Sequence, residues 1–530
     1  MVIAAAVLFG SSTLPAGAQA QAQEYRFALR NGQTVCGVVL AEQAATITVQ
    51  GPGNTQLVLR RDQILRRAAE PCEAPAPRTA AGPTPPAAPV AGQPWHELRI
   101  FGSDAMANRL IPDLVDAYIA RMNLRPRGWA PGAIPDQRVQ DALANAGQVP
   151  MRFTVTSTVT GAAFPALAER RSDIGLAARP PNAREIELVR AGAGFDMRNV
   201  EQVIALDGLA AVVHASNPVR RITMEQFREI FAGSITNWSA LGGPDRPIRL
   251  YAREPEAAAM QVIQQEVMGR VQVAASTTRI PAWTDLSNAV ADDPDGIAIL
   301  TLAFIGRGRA LNLVASCGIE FEASEFGLRT QDYPLERRFA LYPSPTAPSF
   351  SEDFLEYMLS ADAYDVVREA GYTSMQPVVG TRDYTQFRLL DATRAAPSAP
   401  DPRYMEAMGD YSVVVRNSVR LSTTFRFEAG SFQLDRRGLR DLDRVTQFLR
   451  SADGQRYRVN VLGFTDAVGA FGVNRSLSLR RAQAVADLLR QRNVTVHQMR
   501  GYASVAPVAC DDDPNAPIKN RRVEIWLTPT

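Results

Sequence analysis

Histidine is scarce in this 530-residue chain. The three that occur, His96, His214 and His497, lie far apart and without neighbouring cysteines, which excludes a His/Cys zinc cluster and leaves metal-assisted hydrolysis without ligands. Charge of one sign is missing too. With 57 basic and 55 acidic residues the net charge is only +2, so neither the electrostatic footprint of a nucleic-acid binder nor an acidic tail is present. No stretch approaches the ~18 uninterrupted apolar residues of a membrane-spanning helix. No nucleophile sits next to a base, and nothing calls for a cofactor. A non-enzymatic protein with no metal, no cofactor, no nucleic-acid partner and no membrane span is expected.

What is present is an ordinary globular composition, 46% hydrophobic and 21% charged, at a length that predicts two or three domains. Residues 1–20 carry a short apolar run, Val2 to Leu8, and end in Ala18-Gln19-Ala20, the pattern of a secretory signal peptide. The basic n-region is missing, so translation is expected to start upstream of Met1, and no cysteine follows the cleavage point to carry a lipid anchor. Export makes the four cysteines candidates for disulfides. Cys36 and Cys72 flank one small segment and are expected to pair, closing a loop worth about 3–4 kcal/mol in the chain-entropy picture. Cys317 and Cys510 then remain, either as a bridge between two domains or as two buried thiols.

Residues 24–72 alternate in short β-like runs with Asn31-Gly32 between two of them, a hairpin signal, and read as a small disulfide-stapled β module. Residues 73–95 are a Pro/Ala-rich linker. Residues 96–390 alternate strand-like and helix-like patterns, predicting an α/β domain with a mainly parallel sheet. Two of its strands run into Gly102-Ser103-Asp104 and Ser157-Thr158-Val159-Thr160 at helix starts, where hydroxyls either cap the helix or, with free N–H groups, meet an anion. A second linker is expected over residues 391–410, and residues 411–530 form a compact α/β unit. In it a helix capped at Asp435 presents Leu439, Leu442, Val445 and Leu449.

The most informative stretch of that unit is Gly463-Phe464-Thr465-Asp466, followed after a short loop by a helix running from about Asn474 to Arg492. Leu477, Val485 and Leu488 form its inward stripe at 100° per residue, and Arg481 falls inside that stripe. A cation near a helix N-terminus faces the positive end of the macrodipole and needs an anion. Asp466 is the natural opposite pole. By spacing alone the two are equally a pocket for a zwitterion or a structural ion pair closing the loop.

Two resemblances sharpen these readings. Asp173-Ile174-Gly175-Leu176-Ala177-Ala178-Arg179-Pro180 and Phe227-Arg228-Glu229-Ile230-Phe231 through Ile235-Thr236-Asn237-Trp238 resemble segments of phosphate-type periplasmic substrate-binding proteins. That implies a two-lobed, hinge-closing type 2 binding-protein fold over about 280 residues. It also implies an oxyanion site at Ser103, Asp104, Thr160, Arg179 and Arg253. The chain departs from the family after Arg253: Glu254-Pro255-Glu256 stands where hydroxyl and N–H donors are usual. The pattern Gly463-x-Thr465-Asp466 … Asn474-x-x-Leu477-Ser478-x-x-Arg481-Ala482 … Asn520-Arg521-Arg522-Val523-Glu524-Ile525 resembles the OmpA-like C-terminal domain, a βαβαββ unit. This resemblance implies non-covalent binding of peptidoglycan. Asp466 and Arg481 would hold the diaminopimelate of the stem peptide, and Thr465, Asn474 and Arg522 would shape the pocket.

The chain as a whole is therefore expected to be an α/β and α+β multidomain protein of the Gram-negative periplasm, associated with the wall and the outer membrane. Its partners would be peptidoglycan, a small oxyanion such as phosphate, and envelope proteins. The other readings are an oxyanion receptor serving a membrane transporter and, more weakly, a phosphatase on a binding-protein fold.

Overall fold

The structure is a computed structural model that describes residues 24–29, 34–43, 45–50, 56–60, 64–68, 95–144, 150–398 and 400–530. The expected signal peptide and the 73–95 linker lie outside the described residues, apart from Trp95 at the linker's end. The chain divides into two units, Met1–Ala91 and Gly92–Thr530. The first is a five-stranded antiparallel sheet in which Thr34–Glu42 pairs with Glu24–Leu29 on one side and Thr46–Gln50 on the other. Phe27, Ile47, Val49 and Leu59 bury one face, the period-2 consequence of alternating side chains. Cys36 is disulfide-bonded, and Cys72 lies outside the described residues.

In the second unit, residues 96–380 build a 13-stranded sheet that is mixed, not mainly parallel. His96–Ser103, Met151–Thr158 and Ile174–Ala177 run parallel in one lobe; Arg249–Ala252, Gly296–Thr301 and Thr278–Arg279 run parallel in the other. The chain passes between the lobes in both directions, on Gln202–Val213 and Glu336–Pro343, and these two crossing strands pair antiparallel. The near-continuous apolar character of Gln202–Val213 reflects burial on both faces, whereas Glu336–Pro343 begins with three charged residues.

The C-terminal sheet has the spatial order Val419–Arg426, Arg522–Pro529, Tyr457–Gly463, Val496–Gly501. Val461, Ile525 and Leu527 point to one core with the helices Arg436–Arg450 and Phe471–Gln491. Leu462 and Trp526 point to the other face. That second face is covered by the stretch expected to be a linker. Residues 391–410 are mostly helical, carrying the end of Arg382–Arg394 and the start of Pro402–Arg416, because Tyr404, Ala407 and Tyr411 find an apolar sheet face to bury against. Asp435 caps its helix through Gly438 N–H at 2.7 Å. Leu442, Val445 and Leu449 are buried, but Leu439 is exposed. No helix among the described residues is long and apolar enough to cross a membrane.

The central and C-terminal domains are joined through buried charge. Arg420, fully buried, donates to Asp332 of the central domain at 2.6 Å and lies 3.5 Å from Glu524, which Arg522 holds from the other side at 2.7 Å. Burial works to raise the Asp332 carboxyl, but the guanidiniums of Arg420 and Arg426 outweigh it and hold the group down to about 2. Backbone bonds run alongside: Gly380 N–H donates to Arg420 O at 2.7 Å and Ser422 N–H to Val378 O at 2.9 Å. Cys317 and Cys510 form the bridge, with Cα atoms 5.7 Å apart. On the other flank Arg436, Arg440 and Arg444 donate to the carbonyls of Asn199, Glu201 and Val203 at 3.1, 2.6 and 3.4 Å. Arginines at i, i+4 and i+8 share one helix face and here meet three alternate carbonyls of the neighbouring chain.

The sign of the Asp332 effect gives a test. Its folded value of about 2 lies below the ordinary 3.8, so its contribution is complete above about pH 4 and disappears as pH falls to 2. In urea unfolding Asp332→Asn should lose about 3 kcal/mol at pH 7 by leaving Arg420 without its closest partner. The gap to wild type should narrow by about 2 kcal/mol between pH 4 and 2. A gap independent of pH would remove Asp332 from this role.

Candidate functional site

The C-terminal site starts where the central strand of its sheet ends. Phe464 N–H donates to Arg522 O at 2.8 Å and Thr465 N–H to Ala503 O at 2.7 Å, carrying sheet pairing to the threshold of the loop. Asp466 then turns the chain, its Oδ1 accepting Val468 N–H at 3.3 Å. Asn474 pins the loop from the helix, donating through Nδ2 to Asp466 O at 3.4 Å and Val468 O at 3.0 Å. The helix can lie this close because Gly463 and Gly501 carry no side chain: a Cβ on Gly463 would sit 2.0 Å from Ser478 O.

The helix begins at Phe471, so Arg481 stands in its third turn and not at its N-terminus. The macrodipole therefore does not explain its partners. The inward face is also rotated from the expected stripe: Asn474, Ser478, Ala482, Val485 and Leu489 are buried, whereas Leu477 and Leu488 are half-buried. Arg481 is buried in full and spends its guanidinium on carbonyls. Nε donates to Ser431 O at 2.9 Å, Nη2 to Glu428 O at 3.2 Å and Nη1 to Phe464 O at 3.4 Å. Burial, and then the neighbouring Arg521, pull its pKa down to about 10, against the pull of Asp466. Arg481 stays charged at neutral pH.

Asp466 pairs with Arg521, whose Nη1 lies 3.0 Å from Oδ2 and whose Nε donates to Phe427 O at 3.1 Å. Both side chains retain a little exposure, 18% and 12%. Arg522, expected at this pocket, faces away from it. It is fully buried against the Phe464 ring at 4.0 Å and bonds Glu524 and Ala506 O. Consecutive residues entering a strand point to opposite faces, so the Arg521-Arg522 pair had to divide between site and core; only register decides which goes where. Thr465 Oγ1 is buried with no hydrogen-bond partner among the described residues. The site thus sets two guanidiniums against one carboxylate, a net positive cluster with one anionic pole.

In the central domain Ser103, Asp104, Thr160 and Arg179 follow the ends of three strands of one lobe, and Arg253 follows Arg249–Ala252 in the other. Ser103 and Thr160 do not cap their helices through their side chains. Ser103 Oγ is buried without a partner among the described residues, while Thr160 Oγ1 accepts Ala178 N–H at 3.1 Å. Asp104 Oδ1 accepts Ala105 N–H at 2.8 Å. Arg179 is neutralised by Glu185 through two bonds of 2.8 and 2.7 Å. Arg253 stacks on Trp283 at 4.8 Å and leaves Nε unpartnered. Among the described residues there is no cluster of three or more His, Cys, Asp or Glu able to hold a metal.

Residues 138–362 match the PBP superfamily domain, and residues 426–521 match the OmpA family. The chain joins a PBP domain to an OmpA domain. The phosphate-binding protein PstS of Bacillus subtilis is 26% identical over 185 residues, 35% of this chain and 60% of that protein. The peptidoglycan-binding protein ArfA of Mycobacterium tuberculosis is 41% identical over 86 residues, 16% of this chain and 26% of that protein. The chain therefore spans less than two thirds of the first relative's length and about a quarter of the second's. Among solved structures, an ABC-type phosphate transport receptor from Vibrio cholerae is 20% identical, covering 52% of this chain and 98% of its own at a TM-score of 0.40.

Within the OmpA domain the geometry separates a site residue from a structural one. Asp466→Ala should change the unfolding free energy by no more than about 1 kcal/mol, because its ion pair is near the surface. Arg522→Ala should cost about 3–5 kcal/mol by breaking its fully buried pair with Glu524. Urea denaturation of the two variants, giving equal losses, would contradict this division.

Proposed function

We propose that the OmpA domain binds peptidoglycan, with Asp466 taking the ammonium and Arg481 the carboxylate of the diaminopimelate in a stem peptide. Thr465 and Asn474 shape the loop that presents Asp466, and Arg521 adds a second guanidinium. The observation that carries this reading is the loop itself: an aspartate whose backbone is held by Asn474, paired with Arg521 and with Arg481 buried behind the same loop. It offers charge-assisted bonds to both ends of a zwitterion. A ligand carboxylate replaces neutral carbonyl acceptors on Arg481, and bonds to ionised acceptors are about twice as strong as neutral ones. The likeness to a protein named for peptidoglycan binding supports the same reading. In this view the protein is exported, resides at the wall in the periplasm, and performs no catalysis.

The PBP domain then serves as a cleft for a small anion or as a scaffold held near the wall. A second reading, an oxyanion receptor, is favoured by Ser103 Oγ and Arg253 Nε, two buried donors without partners among the described residues on opposite lobes. The Glu254-Pro255-Glu256 turn, where Ala257 N–H closes on Glu254 O at 3.1 Å, weighs against it by placing carboxylates beside Arg253.

Sedimentation with purified peptidoglycan tests the main reading. Asp466→Ala and Arg481→Gln, each first checked for a native circular dichroism spectrum, should fall at least about tenfold in bound fraction, the loss of one charged hydrogen bond. Wild-type retention by both would end it. For the second reading, titration calorimetry of the full chain with millimolar inorganic phosphate should give heat that Arg253→Gln abolishes, and silence in wild type would eliminate the receptor.

A further inference from the structure

A cavity of about 820 Å³ belongs neither to the Asp466 loop nor to a single lobe of the PBP domain. Its floor is the start of the returning strand Glu336–Pro343, with Glu336 and Arg338, and Glu201 just before the other crossing strand. One wall is the 178–182 turn that carries Arg179; the opposite wall is the Val262–Glu266 segment of the other lobe. The OmpA domain roofs it with residues 424–428, the start of the Arg436–Arg450 helix, and Ile518-Lys519. Such a volume suits a ligand of many heavy atoms, and a single tetrahedral oxyanion would leave most of it empty.

The charges in the floor are only loosely paired. Arg338 stands 3.8 Å from Glu336 and 4.0 Å from Glu201, ion pairs longer than a hydrogen bond, and Glu201 Oε1 accepts from the Tyr342 hydroxyl at 2.9 Å. Glu336 Oε2 is buried with no hydrogen-bond partner among the described residues. A buried carboxylate oxygen without a donor is costly unless something supplies one. Two carboxylates flanking a guanidinium offer places for an ammonium and a carboxylate in the same ligand, and the opposing signs reject a simple anion as well as a polycation.

The loop over 427–433 is shared between this cavity and the wall site. Phe427, Glu428 and Gln433 line the cavity, while the carbonyls of Phe427, Glu428 and Ser431 hold Arg521 and Arg481. The two sites are therefore neighbours across one turn of chain. We infer that the cavity between the PBP and OmpA domains is a second binding site, for short amphoteric peptides of the kind borne by the cell wall. Glu336 and Glu201 take the ammonium, and Arg338 takes a carboxylate. The peptide's source rests on the wall-binding reading; its amphoteric character rests on the cavity alone.

Titration calorimetry of the full chain with the free tetrapeptide L-alanyl-γ-D-glutamyl-meso-diaminopimelyl-D-alanine tests it. Wild type should bind two peptides. Asp466→Ala should keep the cavity site alone. Glu336→Gln should weaken that site by about tenfold or more, the loss of a charged hydrogen bond. Gln265→Trp, an exposed position on the cavity wall, should block it without touching the buried charges. Binding of one peptide that Asp466→Ala removes and Gln265→Trp leaves intact overturns the cavity site while sparing the wall site. Binding that ignores Asp466→Ala but disappears in Gln265→Trp does the reverse. No peptide heat in wild type, or cavity binding competed equally by inorganic phosphate, overturns the proposal.

Discussion

Most of the architecture depends on one buried ion pair, Arg420 with Asp332. Arg420 belongs to the first strand of the OmpA domain and Asp332 to the PBP domain just before its returning crossing strand. A charge buried without a partner is far more expensive than a polar one, so neither domain can present this surface to solvent-free packing alone. Together the two satisfy each other, and Glu524, Arg522 and Arg426 extend the pattern into the OmpA sheet. The result is a joint and not a tether. The disulfide and Asp332 hold one flank, and the arginine comb on Asn199, Glu201 and Val203 holds the other. The comb grips the chain entering one crossing strand and Asp332 precedes the other, so the OmpA domain is held at both strands that link the PBP lobes.

The same joint lies beside the Asp466 loop, whose charges are already paired internally. The 427–433 loop lies between the joint and the long helix, and its carbonyls occupy Arg481, while Arg521 occupies Asp466. Under the proposed reading a ligand would exchange partners here, replacing neutral acceptors on Arg481 by a charged one and releasing Arg521 to a second anion.

Much of this was legible in the residues. The hairpin signal, the cap at Asp435 and the strands flanking the Asp466 loop follow from local chemistry that needs no distant partner. The fused PBP and OmpA domains were readable from spaced motifs. Arg481 shows where such reading stops. Its inward position was visible from helical spacing, but the helix starts earlier than the motif suggests, and the carbonyls that receive Arg481 come from residues about fifty positions away. Arg521 was passed over in favour of Arg522 because a strand's register cannot be read from two adjacent arginines.

By itself, then, the sequence determined the element types, the domain families and the residues with charge to spend near the loop, because propensity, capping and period are local. Tertiary structure alone decided which charges are spent on the fold. Residues 391–410 look like a linker until an apolar sheet face is there to order them, and the arginines of the Arg436–Arg450 helix look like a solvated face until alternate carbonyls of another domain come into register. Burial and pairing are properties of two segments brought together, and neither segment encodes its partner's position alone.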